Sequence, residues 1–179
     1  MNLEYEVQAF AADDRAVIGQ IQEDARVTNA ELVSIGELTP LGAQQFMRKL
    51  EEQQASYEGS LSKPFLAFTR RQLVNALLHK GQEKRREHRH PMIIPAFVVP
   101  VNEDNEPIGD AFEVMTRDVA SASIGLFHEE PLRYKRLILN MILANTEVNL
   151  IIQIIWRGAL GPFYGSAGWY VERVDSFPG

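Results

Sequence analysis

The apolar residues change period near residue 91, and this restricts the chain to a helical half followed by a sheet-forming half. Before that point the spacing is helical. Val17, Ile18, Ile21 and Ala25 follow the start signal Asp13-Asp14. Thr39-Pro40 pairs an N-cap with a proline at the first helical position, and Leu41, Phe46, Met47 and Leu50 supply an apolar stripe that ends at Gly59-Ser60. A third helix is expected from Ser62-Lys63-Pro64 through Phe65, Phe68, Leu73, Leu77 and Leu78 to a stop at Gly81. Beyond residue 91 the period becomes two. Met92–Val101, Phe112–Arg117, Ile124–His128, Leu137–Leu143, Val148–Arg157 and Trp169–Val174 read as strands, with Asn102–Pro107, Ala144–Thr146 and Gly158–Gly168 between them. The expected fold is α+β. It has a helical region over 1–80, a basic linker loop over 81–91, and a six-stranded antiparallel β-barrel over 92–179, because closure removes exposed sheet edges.

The linker is the chain's charge anomaly. Residues 63–91 hold eight Lys and Arg against two Asp and Glu, an island of about +6 in a chain of net charge −6. Its densest part is Lys84-Arg85-Arg86-Glu87-His88-Arg89-His90-Pro91, in which Arg85 and Arg89 form Arg-x-x-x-Arg. A planar guanidinium fork matches phosphates and guanine edges. One compact island in a chain of pI about 5.3 points to a small anionic ligand and away from DNA or RNA, whose readers spread basic charge over a whole face. The blander reading of the knot is a solvated linker.

A second cluster, Thr116-Arg117-Asp118-Val119-Ala120-Ser121-Ala122-Ser123-Ile124-Gly125-Leu126, lies between the second and third expected strands and suits a tight turn. Asp118 can accept from the N1–H and N2–H₂ donors that distinguish guanine, and Ser121 and Ser123 can meet a phosphate. The blander reading is a turn whose Asp and Ser bond their own backbone.

With both clusters, the chain resembles the PilZ family, small barrels that bind the bacterial second messenger cyclic diguanylate (cyclic di-GMP). The family's marks are Arg-x-x-x-Arg before the first strand and Asp/Asn-x-Ser-x-x-Gly further on. Arg85 to Arg89 matches the first, and Asp118 opens the second. Ile124-Gly125-Leu126, Glu129-Glu130-Pro131 and the tail Trp156-Arg157-Gly158 to Trp169-Tyr170-Val171 fit the flanks. The chain departs from the family at Ala120, which takes the serine position, and at Ser123, which takes the glycine position. A bulge that lets Ser121 supply the hydroxyl, with Gly125 supplying backbone freedom, would restore the pattern. The resemblance implies a bacterial receptor in which Arg85 and Arg89 wrap the phosphates, Arg86 assists, Asp118 reads guanine, and Ser121 or Ser123 touches the ligand. It further implies an Arg loop that folds over the bound nucleotide and swings the helical region against the barrel, with an effector protein as the output partner. The rival is a barrel that has lost its ligand and serves as a protein-interaction module.

Other chemistry finds little support. The chain has no cysteine, which excludes disulfides, thiol catalysis and thiolate metal sites. His88, His90 and His128 have no convincing third ligand, and no phosphate-cradling glycine loop or nucleophile–base pattern is present. A non-enzyme without metal or cofactor is expected. Met1–Glu6 lacks a basic n-region and apolar h-region, and the longest apolar runs are too short for a bilayer, so a cytoplasmic protein without membrane insertion is expected. The helical region is a candidate surface for a homodimer.

Overall fold

The computed structural model describes residues 15–23, 25–26, 40–78, 88–143 and 145–179. Arg85, Arg86, Thr39, His79 and Gly81 lie outside these residues. Helical residues 15–23, with 25 and 26, form α1. Then come α2 (Pro40–Ala55), α3 (Lys63–Leu78), β1 (His90–Pro91), β2 (Pro95–Pro100), β3 (Phe112–Val119), β4 (Ser123–His128), β5 (Arg136–Leu143), β6 (Thr146–Leu160) and β7 (Phe163–Arg173). All strand pairs are antiparallel. The order β3-β2-β5-β6-β7-β4 closes through a β3–β4 pairing, giving the expected six-stranded barrel, while the short β1 extends the β2 side of β3.

The barrel is filled by the alternate residues that face inward. Val98, Val114, Val119, Ile124, Leu126, Leu137, Leu139, Leu150 and Ile152 form one buried cluster, and Ile18, Ile21 and Ala25 of α1 belong to it. The helical spacing read at 17–25 therefore serves the barrel's own core. Among the described residues, the outer face is covered in two places. Val174 and Phe177 of the C-terminal tail pack on Val99, Ile138 and Ile151. Leu61, Phe65, Leu66 and Phe68, at the start of α3 and just before it, pack on Met115 of β3 and Phe127 of β4.

The α2–α3 pair is latched to the barrel by polar contacts as well. Glu113 accepts from the Ser60 amide at 2.7 Å and hydroxyl at 2.9 Å. Glu129 accepts from the Ser62 hydroxyl and, at 3.3 Å, from its amide. Ser62 Oγ in turn accepts from the Phe65 amide, so it is the N-cap of α3. Burial, with the Glu113 carboxylate beside it, raises the Tyr57 phenol well above its usual range, so it stays a donor.

The last hairpin departs from the expected layout. Gly158–Gly168, read as a break, is mostly strand: β6 runs to Leu160, β7 starts at Phe163, and only Gly161-Pro162 turns. Gly161 has φ +64° and the proline ring fixes its own φ, a combination that suits a II′-type two-residue turn. The other glycines lie within the ladder, Gly158 opposite Gly165, where small residues leave room on the outer face. The expected first strand also differs. It is interrupted at Met92–Ile94, where the Thr116 hydroxyl takes over the ladder by donating to the Met92 carbonyl (2.7 Å) and accepting from the Ile94 amide (2.9 Å).

Candidate functional site

The second sequence cluster was expected to be a turn, but Asp118 lies within a strand, on β3 opposite Gly125. The turn is only Ser121-Ala122: the Ala120 amide donates to the Ser123 carbonyl, and the Ala122 carbonyl accepts from the Tyr170 amide of β7, both at 2.9 Å. A β-bulge is present, but it precedes Asp118. Thr116 pairs with Leu126 and Asp118 with Gly125, leaving Arg117 as the extra residue. Neighbours on a regular strand face opposite ways. The bulge cancels that alternation and sets Arg117 and Asp118 side by side on the outer face.

Their side chains meet as a result. Arg117 Nε donates to Asp118 Oδ2 at 2.7 Å. From the other side, Arg89 Nη1 lies 3.5 Å from Asp118 Oδ1. The second approach depends on β1, whose pairs His90–Val119 and Pro91–Asp118 bring the end of the basic knot to the end of β3. All three side chains are only 16–22% exposed, so the ion pairs are screened less than surface ones.

The Arg117 guanidinium rests on a floor of glycine. A Cβ on Gly125 would lie 2.7 Å from its Nε and Nη2, and one on Gly165 would lie 3.3 Å from its Nη1. Its Cζ stands over two rings, 5.9 Å from the centre of Phe127 and 5.6 Å from that of Trp156. Sequence reading assigned Arg117 no role. The signal was available in principle, as an arginine beside the motif aspartate, but only the bulge turns it to the same face.

The other expected site residues are placed as follows. Ser121 is exposed at the turn. Ser123 opens β4, is 2% exposed, and pairs with Trp169 of β7. Ala120, at the family's serine position, is fully buried. His88 and His90 stack edge to face at 4.6 Å. His128 is buried at the end of β4, where its Nδ1–H donates to the Glu130 carbonyl at 2.6 Å and its ring stacks on Tyr164. Burial lowers its pKa, and the nearby Arg117 charge pushes the same way. Among the described residues, no group of three or more His, Asp or Glu is placed to hold a metal ion. Among them too, no helix is long and apolar enough to cross a membrane.

No family model and no curated protein sequence matches the chain. Solved structures do. The inhibitor of motility MotI/DgrA from Bacillus subtilis is similar at 10% identity and TM-score 0.42, over 52% of this chain and 45% of that one. The PilZ domain of CeSA from a cellulose-synthesizing bacterium matches at 20% identity and TM-score 0.37, over 50% of this chain and 83% of that one. The PilZ domain with c-di-GMP of YcgR from Escherichia coli matches at 14% identity and TM-score 0.33, over 50% and 79%. The chain thus spans less than half of the first of these proteins. The likeness is one of barrel fold alone and carries no argument about a ligand.

Proposed function

We propose that this barrel binds cyclic di-GMP on its outer face at Arg89, Asp118 and Arg117, and that it is a receptor and not an enzyme. The observation that carries the reading is the pair of arginines held on either side of Asp118, one by the end of the basic knot and the other by the β3 bulge. Two guanidiniums at the mouth of a +6 island suit a ligand with two phosphates. Asp118 offers the carboxylate that a guanine edge needs, and Arg85 and Arg86 complete the cation supply from the knot. The neighbouring chemistry also provides a route to an output. Phe127 packs under Arg117 and edge-on to Phe68 of α3, with ring centres 5.5 Å apart, so a shift of the arginine is felt by the latched helices. An effector protein would read that movement.

One observation favours the rival reading, an interaction module without a nucleotide. Ala120 and Ser123, which occupy the motif's serine and glycine positions, are both buried, so neither offers a surface hydroxyl to a ligand. Calorimetric titration of the wild type and Asp118→Ala with cyclic di-GMP and its adenine counterpart separates the two. The receptor reading expects the guanine compound to bind the wild type more tightly, and the preference to shrink in Asp118→Ala. Equal affinities for the two compounds in the wild type would remove Asp118 as the guanine reader, and absence of binding to either would leave the interaction module.

A further inference from the structure

The β6–β7 hairpin runs past the end of β5. The β5–β6 ladder ends at the Arg136–Gln153 pair, with one further bond from the Ile154 amide to the Lys135 carbonyl at 2.7 Å, whereas β6 continues to Leu160 against β7. The chain ahead of β5 leaves the ladder there. Leu132 turns into the barrel core, and Arg157 Nη1 donates to the Leu132 carbonyl at 3.2 Å and to that of Tyr134 at 3.3 Å. Among the described residues, then, no strand pairs with the far edge of β6 over 155–160. Leu160 and Phe163 flank the two-residue turn, so antiparallel alternation points the amides and carbonyls of Arg157 and Ala159 away from β7. An open edge is a template for another strand, and proteins blunt it with proline, charge or a cover. Here no proline comes before Pro162, Ile155 and Ala159 are exposed, and the charge of Arg157 is drawn onto the two carbonyls. The free stretch is as long as an ordinary strand.

The surroundings are basic. Arg133, Lys135 and Arg157 are exposed, and among the described residues no carboxylate pairs with any of them. They are three of the six Lys and Arg beyond residue 91, in a stretch with eleven Asp and Glu, so their gathering at one edge runs against the local composition. We infer that β6 takes up an acidic, extended segment of a partner protein as an added strand over 155–160. Main-chain bonds to Arg157 and Ala159 hold the segment, and its carboxylates meet the three cations, the usual division of affinity and specificity in strand addition. The exposed Ile155 and Tyr134 give its apolar side chains a place to rest. A second copy of this chain is a poorer occupant, because pairing β6 with its twofold mate sets like cations face to face. A membrane or a nucleic acid supplies no peptide groups at strand spacing. The inference goes beyond the receptor reading and does not depend on it.

The test is nuclear magnetic resonance of the full, isotope-labelled chain, titrated with a short peptide of alternating glutamate and valine. Saturable shifts of the Arg157 and Ala159 amides are expected, with slowed hydrogen exchange at both. The lysine–valine counterpart should bind the wild type about tenfold more weakly, and the glutamate peptide should lose as much with the Arg133→Glu, Lys135→Glu double variant. A glutamate peptide N-methylated at every amide keeps its charge but cannot pair as a strand, and should leave the two amides unmoved. Ala159→Pro removes an edge donor that the β7 ladder does not use, and should weaken binding. Unmoved Arg157 and Ala159 amides at millimolar glutamate peptide, or equal binding by the N-methylated form, overturn the inference. So do binding to phosphatidylglycerol vesicles with the peptide inert, which makes the patch a membrane contact, and shifts of the same amides with protein concentration alone, which seat a second copy there. The wild-type titration does not depend on any variant folding, and a failure to bind cyclic di-GMP leaves its outcome unaffected.

Discussion

At the scale of single residues, the site is organised by Asp118. Its carboxylate holds Arg117 at 2.7 Å and faces Arg89 at 3.5 Å, whereas Ser121 sits exposed on the two-residue turn. Charged hydrogen bonds contribute about 1.5–3 kcal/mol and neutral ones about 0.5–1.5. Asp118→Ala should therefore cost more binding free energy than Ser121→Ala, and calorimetry of both variants checks the order; a reversed order would make Asp118 a purely structural residue. His128 gives a pH signature. Its folded pKa lies below the ordinary 6.5, so on acidification the unfolded chain takes up a proton first. The stability of the neutral ring is complete above about pH 6.5 and declines as the pH falls beneath it. The neutral ring is the right form for this place, since Nε2 is buried with no hydrogen-bond partner among the described residues. Thermal melts from pH 7.5 down to 5 should show this loss in the wild type, and it should be smaller in His128→Asn, whose amide can still donate to the Glu130 carbonyl. Parallel pH curves for the two proteins would contradict the assignment.

At the scale of elements, two irregularities build the site. The bulge at Arg117 brings Asp118 onto the same outer face as that residue, and the break at Met92–Ile94 lets the knot's end run alongside β3. Thr116 stabilises the break through two hydrogen bonds from one buried hydroxyl. Thr116→Val keeps the shape but strands the Ile94 amide and the Met92 carbonyl, and should cost about 2–4 kcal/mol in chemical denaturation. It should also weaken cyclic di-GMP binding, because β1 carries Arg89 to Asp118. A variant as stable as the wild type would show that the ladder does not depend on this hydroxyl. Both irregularities were hidden in the sequence for a physical reason. Period two marks strands, but an extra residue shows itself only when the partner strand's register is known, so nothing in the sequence set Arg117 beside Asp118. The Ser121 bulge suggested by the family pattern had the right device in the wrong place. Gly158–Gly168 misled in the opposite direction: glycines signal turns on average, yet here they lie within a hairpin and keep a surface low.

At the scale of the whole molecule, the α+β order and the closed barrel were legible because the change of period and the alternation of Leu137–Leu143 and Val148–Arg157 are strong signals. The role of α1 was not, since Ile18, Ile21 and Ala25 look the same whether they pack on other helices or, as they do, in the barrel core. The same holds for α3, whose aromatic stripe is shared with Phe127 and so lies one ring away from Arg117. Charge is organised at this scale as well: the acidic chain has one basic island, and its last arginine, Arg89, is held beside Asp118 on the barrel wall next to β1. The most direct test of the receptor account is the affinity of the full chain for cyclic di-GMP, measured by calorimetry at low and at high salt, alongside Arg89→Ala. The account predicts saturable binding that weakens as salt screens the island and that falls about tenfold or more in Arg89→Ala. Flat traces at high micromolar ligand and low salt, or binding indifferent to both salt and Arg89, would contradict it.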